Sequence, residues 1–88
     1  MSPDAQKVWS IAVEQYRKDW DPYVEYIVHN PDELIWSISG LPQLHEDGYI
    51  EDVDDRLLHG GSIPTPFTVR FQLSDRGRIA AEFGERKL

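Results

Sequence analysis

The sequence contains no cysteine, and this absence removes three kinds of site at once. A disulfide framework, a thiolate zinc site and a cysteine nucleophile are all excluded. Long apolar runs are also missing, since no stretch approaches the ~20 apolar residues that a membrane-spanning helix needs. Residues 1–4 show neither the basic segment nor the apolar run of a signal peptide. We therefore expect a cytoplasmic protein with no membrane contact.

Basic residues are missing from the middle of the chain. Residues 19–55 contain eleven Asp and Glu but no Lys or Arg, whereas residues 56–88 carry six bases against three acids. The net charge of the whole chain is −7. Like charge repels phosphate, so the middle segment disfavours nucleic acid and favours a basic partner.

The chain length of 88 residues predicts one domain over 1–88, because a second core would not fit. Three Trp, four Tyr and three Phe supply the large apolar areas that a short chain needs. Trp9 and Trp20 lie in or directly after a predicted helix at about residues 3–19, here called helix one. Their combined apolar area exceeds what one small core is expected to bury. They suggest a homodimer through helix one.

Apolar periodicity and capping residues predict three helices in the first half. The first covers about residues 3–19, where apolar residues recur at helical spacing. The apolar patch Tyr23–Val28 fits a two-turn helix or a short strand, and we favour the helix. Asn30 is a typical N-cap for a third helix that ends near His45.

The second half predicts two strands and a helix. A short strand covers 49–53, a loop covers 54–66, and residues 67–73 alternate between apolar and polar as a half-buried strand does. Ser74 is then the N-cap of a last helix whose apolar side is Ile79, Ala80 and Phe83.

Two runs of sequence carry a resemblance to a known fold. Leu41 to Ile50 looks like the end of a recognition helix that passes through Gly48 into a first wing strand. Phe71 to Arg78 resembles the aromatic-x-Leu-Thr-x-x-Gly-Arg pattern found where a second wing strand meets the next helix. Residues 41–83 are therefore similar to the winged helix-turn-helix domains of MarR- and PadR-type regulators. The resemblance implies an α+β winged helix with three N-terminal helices, a two-stranded β-wing and a C-terminal helix.

That resemblance also implies a small DNA-binding transcriptional regulator whose partner is double-stranded DNA. In such domains the third helix enters the major groove and the wing touches the DNA backbone. The residues expected to contact DNA are Ser37, Ser39 and Gln43 of that helix and Arg56, Arg70, Arg76 and Arg78 of the wing side.

The charge pattern supports an alternative function. The same fold with an acidic face is expected to act as a protein–protein interaction module without DNA binding of its own. Such a module binds a basic partner or inhibits a DNA-binding protein.

Nothing in the sequence predicts an enzyme, a metal site or a cofactor. His29, His45 and His59 are spaced too far apart for a short metal-ligand motif. No serine lies in a G-x-S-x-G motif, and Gly60-Gly61-Ser62 lacks the Lys of a phosphate-binding loop. We expect no catalytic, metal or cofactor-binding residues.

Overall fold

The computed structural model describes residues 1–59 and 63–83, which form a mixed α+β fold with a small antiparallel sheet. The α+β class predicted from sequence is confirmed. The elements, in chain order, are α1 (Pro3–Asp19), β1 (Tyr23–Val28), α2 (Pro31–Glu46), β2 (Ile50–Glu51), α3 (Asp55–His59), β3 (Phe67–Leu73) and α4 (Asp75–Phe83).

Helix α1 has the bounds that its sequence pattern predicts. The Ser2 hydroxyl accepts a hydrogen bond from the N–H of Ala5 at 3.1 Å and caps the helix. Trp20 is the C-cap of the helix. Its backbone is left-handed, and its N–H donates to the carbonyl of Tyr16. Its buried side faces the core.

The segment Tyr23–Val28 is strand β1, so the prediction of a second helix there was wrong. Its even-numbered residues face the core, and each lies opposite a residue of β3. A six-residue apolar run fits either structure by itself. The segment is a strand because it pairs antiparallel with all but the last residue of β3. The N-terminal half therefore holds two helices and a strand instead of the predicted three helices.

Helix α2 agrees with the predicted third helix. The Asn30 side chain accepts a hydrogen bond from the N–H of Glu33 at 3.0 Å, as an N-cap does. Pro42 lies inside the helix. At Gly40 an added Cβ would lie 2.7 Å from the carbonyl oxygen of Asp4, so α1 and α2 approach at backbone distance.

The sheet has the order β1-β3-β2, with both pairings antiparallel. Strand β2 is shorter than the predicted 49–53, since it pairs only at Ile50 and Glu51. The predicted loop 54–66 contains the short helix α3, which buries Leu57 against the core. Part of that loop, including the Gly60-Gly61-Ser62 run, lies outside the described residues.

One face of the sheet packs on the helices and the other faces outward. The inner face supplies core residues that join those of α1 and α2, among them Val24, Val69 and Phe71. The outward face, here called the open face, is formed by side chains that are exposed or half-buried: Tyr23, Glu25, Ile27, Thr68, Arg70 and Gln72.

Helix α4 begins as predicted at Ser74, whose hydroxyl accepts the N–H of Gly77 at 3.1 Å. An added Cβ at Gly77 would overlap the carbonyl oxygen of Tyr49. Glycine therefore allows the start of α4 to sit against the chain that enters β2. Gly48 has the left-handed backbone expected between α2 and β2, with φ of 82°.

Candidate functional site

The three α2 residues predicted to contact DNA do not form one exposed surface. Ser37 is fully buried, and its hydroxyl lies 2.8 Å from that of Tyr26 on β1. The prediction that Ser37 contacts a partner is corrected, because a side chain inside the core reaches no ligand. The Gln43 carboxamide accepts a hydrogen bond from the N–H of Ser2 at 2.9 Å, whereas Ser39 is exposed.

Three of the four predicted DNA-contacting arginines form ion pairs with carboxylates of the same chain. Their guanidinium groups pair as Arg56 with Asp54 at 3.1 Å, Arg70 with Glu25 at 3.3 Å and Arg78 with Asp75 at 2.6 Å. The fourth, Arg76, lies over the ring of Tyr49, 4.8 Å from its centroid. The arginines are already engaged by the protein itself, on three different elements.

The ion pairs also affect protonation. Hydrogen bonds from Arg56 lower the pKa of Asp54, and the same contact raises the pKa of Arg56. The hydrogen bond to Asp75 likewise raises the pKa of Arg78. Each pair joins one acid to one base and so adds no net charge to its part of the surface.

Most carboxylates of the acidic segment have no such partner. Of the eleven acids in 19–55, only Glu25 and Asp54 form ion pairs within the described ranges 1–59 and 63–83. The surface therefore retains most of the negative charge that the sequence shows.

A groove of about 440 Å³ gathers several of these acids between the end of α2 and α3. Its apolar part consists of Pro42, Val53 and Leu58. Its polar lining is His45, Glu46, Asp52, Asp55 and His59. The sequence did not predict this groove, because its lining residues His45 and His59 are fourteen positions apart and only the fold places both in one groove.

Neither a metal centre nor a membrane span is found in the part of the chain that the structure describes. There, no three His, Asp or Glu side chains are grouped so that they could hold a metal ion. Likewise, no helix in these ranges is both long and apolar enough to cross a membrane.

The two tryptophans assigned to a dimer surface lie in different environments. Trp9 is 3% exposed and packs against Tyr49, with ring centroids 5.3 Å apart, so it belongs to the core and not to an interface. Trp20 is 62% exposed and lies edge-on against Tyr16. Only Trp20 remains available to a partner.

The edge of strand β1 that faces away from β3 is covered at two residues by side chains. The Gln15 carboxamide donates to the carbonyl of Glu25 at 2.7 Å and accepts from its N–H at 3.2 Å. Beside it, Asp21 accepts the N–H of Tyr23 at 3.0 Å. A groove of about 570 Å³ follows this edge between β1 and the end of α1.

Comparison with protein-family models, with curated proteins and with solved structures found no match for the chain.

Proposed function

We propose that the protein is an acidic interaction module that binds a basic partner protein. One observation supports this proposal above the others. Three of the four arginines expected to meet DNA are paired with carboxylates, whereas nine of the eleven acids in 19–55 have no ion-pair partner among the described residues. A surface with this balance attracts cations and repels phosphate.

We assign the binding to the groove between α2 and α3, which belongs to this acidic surface. Carboxylates of Glu46, Asp52 and Asp55 surround apolar side chains there. Such a combination suits a lysine or arginine, whose aliphatic stem packs on apolar atoms while its charged end meets carboxylates.

Binding of an octalysine peptide and of mixed-sequence duplex DNA at low salt tests the proposal. We expect the peptide to bind, with an affinity that falls as salt rises, and the DNA not to bind. Asp52→Asn and Asp55→Asn together should weaken peptide binding several-fold. The control Glu14→Gln, outside the acidic segment, should not. Binding of DNA without binding of octalysine would overturn the proposal.

A winged-helix DNA-binding regulator is the second candidate. The supporting observation is the arrangement of the second half. Gly48 lies between α2 and β2, β2 pairs antiparallel with β3, and β3 leads into α4, which contains Gly77. The strand β1 stands where this candidate predicts a helix. If DNA does bind, Arg56→Ala and Arg70→Ala should each reduce the slope of affinity against salt by about one. Unchanged slopes would place any DNA contact elsewhere.

A further inference from the structure

We propose that the free edge of β1 binds an extended basic segment of the partner as a fourth strand of the sheet. The proposal rests on the proposed function, because it names a second site for the basic partner, besides the groove between α2 and α3, and the form of the partner there. Adding a strand to an exposed sheet edge is a common way to bind an extended peptide, since the main chain supplies the affinity and alternate side chains the specificity.

The backbone of β1 presents hydrogen-bonding groups on this edge. In an antiparallel pair, residues alternate between bonding to the neighbouring strand and pointing away from it. Pro22 bonds to Leu73 of β3, and Gln15 reaches Glu25 from the opposite side. The same alternation makes the N–H and C=O groups of Tyr23 and Ile27 point away from β3 with those of Glu25, and the N–H of Tyr23 is bonded to the Asp21 side chain.

The contact from Gln15 shows that this edge accepts a peptide group. A carboxamide that donates to a residue's carbonyl and accepts from its N–H makes the same two bonds as a residue of an added strand. The pair is exposed and held by one flexible side chain, so a strand can displace it. The groove along the edge provides the space.

Side chains along the edge define the partner's chemistry. Tyr23 and Ile27 are 46% and 52% exposed and lie on either side of Glu25 on the open face. Asp19 and Asp21 line the same groove, against the single cation of Lys18. Glu25 pairs with Arg70 on the side of β3 at 3.3 Å, so a matching strand carries a Lys or Arg that meets this carboxylate from the other side, and apolar residues opposite Tyr23 and Ile27. Its pattern is apolar-x-basic-x-apolar.

The same charge disfavours a second copy of this chain as the occupant. Two β1 strands paired antiparallel with Tyr23 opposite Ile27 place Glu25 directly opposite itself. Like charges directly opposite each other destabilise a strand pair. A basic strand gives Glu25 a second opposite charge, beside that of Arg70, instead.

The test uses the heptapeptide Thr-Val-Thr-Arg-Thr-Val-Thr and the full chain, followed by backbone NMR. We expect the peptide to shift the amide signals of Tyr23–Val28 and to slow hydrogen exchange at Ile27. Ile27→Lys should weaken binding at least five-fold, since it places a cation beside the peptide. The matched control Ile79→Lys, at a 60% exposed isoleucine of α4, should bind like the unchanged protein. Gln15→Ala should bind about three-fold more tightly, because no side chain competes for Glu25.

Each other outcome has a defined meaning. If octalysine binds but the heptapeptide shifts signals away from β1, or Ile27→Lys binds it equally well, the strand-addition site is wrong and the interaction module stands. If neither peptide binds, both proposals fail. A doubled mass in solution, with β1 signals broadened in the absence of peptide, would assign the edge to a second copy and overturn the proposal. Weaker binding by Gln15→Ala would show that Gln15 holds the ligand instead of competing with it.

Discussion

The side-chain hydroxyl groups of Tyr26 and Ser37 lie 2.8 Å apart and join strand β1 to helix α2 inside the protein. Burial raises the pKa of Tyr26 to about 12, and the negative charge of Glu33 acts in the same direction, against the lowering effect of the Ser37 hydrogen bond. The stacked ring of Trp36, 6.2 Å away between centroids, completes the contact between the two elements. Ser37, which was expected to contact DNA, is thus part of the packing between β1 and α2.

Tyr26 should make the folded protein lose stability in strong base. Its folded-state pKa of about 12 lies above the ordinary value of 10.0, so its contribution is complete below pH 10 and is lost as pH rises towards 12. Two pKa units correspond to about 2.7 kcal/mol. Urea unfolding at pH 9 and pH 11.5 should show a loss that is smaller by about 2 kcal/mol in Tyr26→Phe, because the full difference is reached only above the folded-state pKa. Equal losses in the two proteins would contradict this origin of the pH dependence.

Gly77→Ala should destabilise the protein strongly. The added methyl group would overlap the backbone oxygen of Tyr49, which also accepts the N–H of Ser74, so the start of α4 must move. We expect a loss of about 3 kcal/mol in the free energy of unfolding, at the upper end for overpacking. Ser39→Ala, at an exposed helical position, is the control and should stay within about 0.5 kcal/mol. A Gly77→Ala protein as stable as the control would mean that α4 does not pack on Tyr49.

Asn30→Ala should cost about 1 kcal/mol, because it removes the side chain that caps α2. Asn30→Asp keeps the accepting oxygen and should be nearly neutral. Thermal unfolding of the three proteins gives the comparison. The cap would have no role if the Ala and Asp variants unfolded at the same temperature.

Truncation of the two tryptophans in the first 20 residues should lower the free energy of unfolding by very different amounts. Trp9→Ala removes a core side chain and should cost about 3–5 kcal/mol, whereas Trp20→Ala should cost under about 1.5 kcal/mol, the upper value for its aromatic contact. Urea denaturation measures both. Light scattering on Trp20→Ala then tests the homodimer hypothesis, which now depends on Trp20. An unchanged dimeric mass would place the interface elsewhere, and a monomeric mass in the unchanged protein would remove the hypothesis.

Local signals in the sequence were enough to predict four elements of the fold, namely α1, α2, β3 and the start of α4. Helices α1 and α2 and the start of α4 are marked by capping residues that make the expected hydrogen bonds, at Ser2, Asn30 and Ser74. Strand β3 is marked by its alternation. Such signals act over one or two turns of chain, so they can be read without knowing the fold.

The candidate sites depended on distant parts of the chain and were harder to predict. Arg70 and Glu25 are 45 positions apart, and their ion pair exists only because β1 and β3 pair in one register. Gln15 reaches Glu25 only because α1 lies along the strand edge. The sequence does show the acidic segment, and it is this charge that the structure leaves on the surface.

The sequence by itself determined the α+β class, the bounds of α1, the caps of α2 and α4, and a middle segment without a single Lys or Arg. Only the tertiary structure decided that Tyr23–Val28 is a strand, that Ser37 is buried and that Arg70 pairs with Glu25. The physical reason is the range of the interactions. Capping and periodicity are local, whereas strand pairing, burial and the ion pair of Arg70 with Glu25 join residues that meet only after the chain has folded.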